Sequence, residues 1–175
     1  GAFALASPLI HRYYDDTLQG LCQSNSNLRP PFEFSPWSCC CFNLGKQVRA
    51  YRHRDHLNCP FGWCAISALG WFDPKKGGHL VLWDLKLVIE FPPGSTIFIP
   101  SALLLHSNLP VRPGEKRFSF VQWSAGALFR WVEFGFRGVK EYMEGRPAKE
   151  ASVLNEERWR TGMMMMPRLS HFRPE

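Results

Sequence analysis

Between residues 38 and 123 the chain is a succession of short apolar runs, each closed by proline or glycine, and this punctuation limits what the segment can build. Candidate strands occupy residues 38–44, 48–53, 63–69, 79–83, 85–91, 95–99, 103–108 and 116–123. Gly45-Lys46, Gly70, the run FDPKKGG at 72–78, Pro92-Pro93-Gly94 and a loop with Pro110, Pro113 and Gly114 separate them. Fourteen glycines and fourteen prolines in 175 residues supply these turns. About eight strands at such spacing argue for a barrel or a jelly-roll-like double sheet.

The flanks read differently. Residues 4–21 place Leu5, Leu9, Ile10, Tyr13, Tyr14 and Leu18 at roughly helical spacing, so a single amphipathic helix is expected there. Residues 23–36 are polar and proline-punctuated, as a connecting loop is. Residues 129–136 suit a strand or a short helix, and 140–144 and 147–166 read as helical. The expected organisation is helical and loop support over 1–37, a β core over 38–138 and helical support over 139–175, in one domain. The fold class is thus mainly β with flanking helices.

The start Gly1-Ala2-Phe3 has neither methionine nor a signal pattern, which suggests an excised domain or a processed chain. No apolar run approaches the roughly 18 residues of a membrane span, so no membrane partner is expected. The six cysteines form no C-x-x-C pair, and Cys39, Cys40 and Cys41 read as small buried side chains of a reducing compartment, nucleus or cytoplasm. A net charge of +6 suits an anionic partner such as nucleic acid, or simply an ordinary basic surface.

The chemistry-bearing pattern is His53-x-Asp55, a distant His106, then Arg117-x-Ser119. Residues i and i+2 of an extended segment share a face, so His53 and Asp55 can approach one metal together. A histidine from another strand completes two imidazoles and a carboxylate, the set that ferrous iron accepts with open positions left over. Arg117 offers a planar fork to a carboxylate, and Ser119 faces the same way with a hydroxyl. His56 and His79 compete for the metal, but neither has the same pairing.

On His53-Arg-Asp55, Gly77-Gly78-His-Leu-Val-Leu, Phe91-Pro-Pro-Gly94-Ser-Thr-Ile-Phe, and His106 with Arg117-x-Ser119, the chain resembles the Fe(II)/2-oxoglutarate dioxygenases of double-stranded β-helix fold. The resemblance spans about residues 42–136. The stretch from HRDHLNCPFGW to FPPGS, with IPSALLLHSN and AGALFRWVEFGF, looks more narrowly like a fungal branch similar to the TET/JBP group, which oxidises nucleic-acid bases. The resemblance implies Fe(II) on His53, Asp55 and His106, 2-oxoglutarate on Arg117 and Ser119, O2 as oxidant, and hydroxylation of a C–H bond. The implied target is the methyl group of 5-methylcytosine or N6-methyladenine. A peptide or small-molecule hydroxylase with the same iron chemistry is the alternative, and a catalytically silent binding domain is a third reading.

Asn43, Asn58, Trp63, Trp83 and Asn108 are candidates for the substrate pocket, although aromatic residues on strands often serve the core instead. Lys46, Arg49, Arg52 and Arg54 cluster around the H-x-D motif, where a phosphate backbone would meet them. Solvated strand edges also carry Lys and Arg. The oligomeric state has no signature in the sequence.

Overall fold

In the computed structural model, which describes residues 1–172, seven strands form the body of residues 38–124. They are β1 (Cys39–Asn43), β2 (Cys64–Trp71), β3 (Leu80–Leu82), β4 (Leu87–Ile89), β5 (Thr96–Ile99), β6 (His106–Asn108) and β7 (Lys116–Trp123). One antiparallel sheet has the order β1-β7-β2-β5 and the other β4-β3-β6. An isolated antiparallel bridge, His53 to His106, adds a rudimentary fourth member beside β6. Followed along the chain, successive segments pass back and forth between the sheets, with the β3–β4 hairpin the one exception. That alternation defines a jelly-roll, or double-stranded β-helix, core.

The apolar core of this unit is Cys64, Ala68, Phe72, Leu80, Leu82, Phe91, Ile99 and Val111, contributed by both sheets and their loops. Along β7 the odd-numbered residues Arg117, Ser119, Val121 and Trp123 share one face, as the two-residue strand period dictates. Register pairs Arg117 with Gly70, and Ser119 with both Ala68 and Asn43. Gly70 has φ of +116°, and a Cβ there would lie 2.2 Å from the Lys116 carbonyl oxygen. Only glycine lets β2 and β7 approach this closely.

The expected strand over 48–53 is absent. Val48 N–H donates to the Arg117 carbonyl and His53 N–H to the His106 carbonyl, each at 3.0 Å. Between these points the ladder is diverted. Asn108 Oδ1 takes the Ala50 N–H at 2.6 Å, and the Tyr51 carbonyl is taken by the His53 ring. The strand expected over 103–108 begins only at His106, because Leu103 and Leu104 N–H both turn back to the Pro100 carbonyl.

The second unit comprises residues 1–37 and those from 125 onward. The single helix expected at 4–21 is two, α1 (Ala2–Ala6) and α2 (Pro8–Ser24). The break falls at Ser7 because the residue before a proline avoids helical backbone, while Pro8 itself suits the first helical position. Ile10, Tyr14, Thr17 and Leu21 form the buried stripe of α2. Helix α3 (Gly126–Glu133) receives it through Phe129, whose ring lies 4.8 Å from those of Tyr13 and Tyr14. Residues 129–136 are therefore not a strand. The helix stops where Gly135 and Phe136 take positive φ. Helices α4 (Val139–Tyr142) and α5 (Ala148–Met164) and a 3-10 turn (Leu169–Phe172) complete the unit. No helix among the described residues is long and apolar enough to cross a membrane.

Gly70→Ala is expected to cost at least about 2 kcal/mol, from the positive φ and the backbone clash together. Urea unfolding measures it, and an unchanged midpoint would mean that the strands are free to separate at this point.

Candidate metal centre

His53, Asp55 and His106 converge, and their ligand atoms all lie within 4.8 Å of one another. His53 sits on the isolated bridge, Asp55 in the coil that follows, and His106 opens β6. His53 Nε2 is 3.4 Å from Asp55 Oδ1, and His106 Nε2 is 4.0 Å from Oδ2. Those separations are too long for strong hydrogen bonds. They are wider than the spacing of about 3 Å between neighbouring ligands in a six-coordinate site with bonds near 2.1 Å, so the side chains would draw in slightly around an ion.

Both imidazoles are oriented in the same way. His53 Nδ1 faces the Tyr51 carbonyl at 2.6 Å, and His106 Nδ1 faces the Leu104 carbonyl at 2.9 Å, in each case two residues upstream. A carbonyl oxygen only accepts, so each Nδ1 carries the proton and each Nε2 keeps its lone pair for a metal. Burial, above all, lowers the pKa of His106, and the neighbouring His53 adds to the effect. The ring is thus held neutral, the form that ligates. Asp55 is set by its own N–H, which donates to the Ser101 carbonyl at 3.0 Å. Burial pushes the Cys64 thiol, beside Ser101, up to about 12, so it stays neutral and outside the ligand set.

These groups open on a cavity of about 580 Å³, within the range of small-molecule sites. Ile66, Leu80, Val121 and Trp123 form its apolar wall. Arg117 also lines it, 3% exposed. Its Nη1 donates to the Val48 carbonyl at 3.2 Å, its Nε is buried without a hydrogen-bond partner, and it pairs with no Asp or Glu among the described residues. Burial lowers its pKa. A buried guanidinium left with open donors is a socket for an anion.

The other expected site residues divide. Asn43 lines the cavity, and its Nδ2 donates to Ser119 Oγ at 3.1 Å, so Ser119 lies behind Asn43 and not on the cavity wall. Asn58 and Asn108 line the cavity, but their amides serve the scaffold: Asn58 Nδ2 donates to Ser101 Oγ at 3.1 Å, and Asn108 holds Ala50. Trp63 and Trp83 are not on the wall. His56 lines the cavity outside the ligand cluster, and His79 does neither. Lys46 and Arg49 are exposed, and Arg49 lies 5.0 Å over the Tyr51 ring. Arg52 and Arg54 are engaged by Trp83 and Asp84. Sequence reasoning missed Ser101, Asp84 and Trp123. Of these only Trp123 had a signal, its two-residue spacing from Arg117, Ser119 and Val121.

No family model and no curated protein matches the chain. Solved structures do. NgTET1 in complex with 5mC DNA matches at 16% identity and a TM-score of 0.46, over 70% of this chain and 50% of that one. The chain thus spans about half the length of that protein. The viral collagen prolyl hydroxylase of Paramecium bursaria Chlorella virus-1, as its 2OG complex, matches at 19% identity and a TM-score of 0.35, over 61% and 68%. An RmlC-like cupin from Desulfovibrio desulfuricans matches at 16% identity and a TM-score of 0.32, over 55% and 92%.

His106→Ala and Asp55→Ala are each expected to abolish stoichiometric Fe(II) binding in anaerobic calorimetry while the far-ultraviolet dichroism stays unchanged. Wild-type affinity in His106→Ala would exclude it as a ligand.

Proposed function

We propose that the chain is a ferrous-iron, 2-oxoglutarate-dependent dioxygenase, and that it hydroxylates the methyl group of a modified nucleic-acid base such as 5-methylcytosine or N6-methyladenine. The observation that carries the chemistry is Arg117, a buried cation without an acidic partner among the described residues, in one cavity with a His–Asp–His cluster. Iron with 2-oxoglutarate and dioxygen supplies an oxidant able to attack a C–H bond. His53 Nε2, His106 Nε2 and the Asp55 carboxylate would hold the iron, with positions left open for co-substrates.

The remaining steps belong to the chain's own side chains. The Arg117 fork takes the far carboxylate of the dicarboxylate, which supplies the acceptors its buried N–H groups lack. Asn43, braced by Ser119, turns a polar edge into the same cavity. Ile66, Leu80, Val121 and Trp123 exclude water from the reacting region. Both histidines, with Nδ1–H turned to the Tyr51 and Leu104 carbonyls, would offer a bare Nε2 to the ion.

Three features support a base as substrate. The cavity leaves room beside a five-carbon dicarboxylate for one flat ring, extruded from its stack. Lys46 and Arg49 stand exposed on the segment that carries His53, and Arg49 lines the cavity mouth. The net charge is +6. The likeness of HRDHLNCPFGW and IPSALLLHSN to a fungal TET/JBP-like branch points the same way.

Incubation with Fe(II), 2-oxoglutarate and modified oligonucleotides, read by mass spectrometry, tests the reading. Succinate without base oxidation would favour a peptide or small-molecule substrate, and no succinate with any substrate would favour a silent binding domain.

Arg117→Ala is expected to raise the 2-oxoglutarate requirement by about 10- to 100-fold, the loss of roughly 1.5–3 kcal/mol of charge-assisted hydrogen bonding, with Arg117→Lys a poor rescue. An unchanged titration in Arg117→Ala would remove it from the co-substrate site. Lys46→Glu with Arg49→Glu is expected to weaken DNA binding and to flatten the log affinity against log salt plot by roughly one unit for each phosphate that the rim no longer neutralises. Full DNA affinity in that double variant would exclude this rim as the nucleic-acid surface.

A further inference from the structure

The turn of the β3–β4 hairpin touches the neighbours of both histidines, and the chemistry above does not use it. Asp84 receives Arg54 Nη2 on both carboxylate oxygens, at 3.0 and 3.1 Å, and its Oδ2 also accepts the Leu105 N–H at 2.7 Å. Trp83 N–H donates to the Leu105 carbonyl at 2.8 Å, and its indole N–H to Ser107 Oγ at 3.0 Å. The Arg52 guanidinium lies 4.9 Å over the Trp83 ring. Arg54 Nε–H reaches the Leu103 carbonyl at 2.8 Å. Arg52 and Arg54 flank His53, and Leu105 and Ser107 flank His106. Two adjacent residues thus hold both chain neighbours of both histidines.

We propose that Trp83 and Asp84 are positioning residues that set the spacing of His53, Asp55 and His106 before a metal arrives. The proposal rests on reading those three as metal ligands. The need for such a device is visible in the backbone. The segment carrying His53 and Asp55 has no strand ladder of its own and meets β6 only through the His53 bridge and the Asn108 hydrogen bonds. Arg54 lies between the first two ligands, so anchoring its side chain fixes the backbone rotation that aims both of them. The pair with Asp84 is half exposed, at 43% and 37%. Such a pair contributes little to global stability. Its geometry is the more telling property: one carboxylate spans from the residue between His53 and Asp55 to the residue before His106.

The same interactions reassign side chains that sequence places elsewhere. Trp83 serves the ligand frame and not the substrate pocket, and Arg52 and Arg54 are held to the hairpin and not left for phosphate.

Co(II) titration of the full chain, followed by affinity and by the visible absorption that reports ligand geometry, tests this. Asp84→Asn is expected to weaken Co(II) binding by about 10- to 100-fold and to shift the absorption bands, with the metal-free melting temperature nearly unchanged. Asp84→Glu, which keeps the charge, is expected to recover part of the affinity. Trp83→Phe, which removes only the indole N–H, is expected to weaken binding by a few-fold. Wild-type affinity and spectrum in Asp84→Asn would overturn the proposal. So would loss of fold in Asp84→Asn together with wild-type metal behaviour in Trp83→Phe, because the hairpin would then be a general stabiliser. Absence of Co(II) binding by the unmodified chain would instead remove the metal site itself.

Discussion

Two reciprocal backbone hydrogen bonds between His53 and His106, at 3.0 and 2.9 Å, are the joint on which the cavity depends. They bring the segment that carries Asp55, which has no strand ladder of its own, against β6. Near this joint the peptide groups are redirected. The Tyr51 and Leu104 carbonyls, each two residues before a histidine, orient the imidazoles instead of extending the sheet. Sheet regularity is given up locally, and ligand orientation is gained. The jelly-roll topology makes this possible, because its alternation sets segments far apart in sequence side by side.

Arg117 shows the opposite balance. Burying an unpaired guanidinium costs several kcal/mol unless other groups satisfy it, yet among the described residues only the Val48 carbonyl accepts from it. The cost is sustained by position: β7 lies between β1 and β2, and Gly70 lets the two backbones close over Arg117. A core built for stability alone would place an aliphatic side chain there. A cation retained in that position, beside a His–Asp–His cluster, is the strongest chemical statement the cavity makes.

Much of the β core was legible in the sequence because its turns are written in proline and glycine. The candidates His53, Asp55 and His106 were picked out by residue type and spacing, and the structure brings them together although the H-x-D segment is not a strand. What the sequence did not reveal has identifiable causes. The segment at 48–53 has strand composition, but Asn108 and the His53 ring capture the groups a ladder would use. The helix expected at 4–21 has continuous apolar spacing, and the proline restriction on Ser7 overrides it. Arg52, Arg54 and Trp83 read as a basic rim and a stacking platform, since no local pattern discloses a carboxylate thirty positions from Arg54. Long-range side-chain partnerships leave no periodic trace.

The sparse backbone pairing of residues 46–57 has a dynamic consequence. Amides held by two bridges, the Asp55 bond to the Ser101 carbonyl and the Asn108 side chain open more readily than those of β2 or β7, which pair along most of their length. Hydrogen exchange in this segment would then report a local, subglobal opening. In that event the hold of Trp83 and Asp84 on Arg52 and Arg54 would set how often the segment opens. Access to the cavity would then depend on the same few contacts that hold this segment against β6.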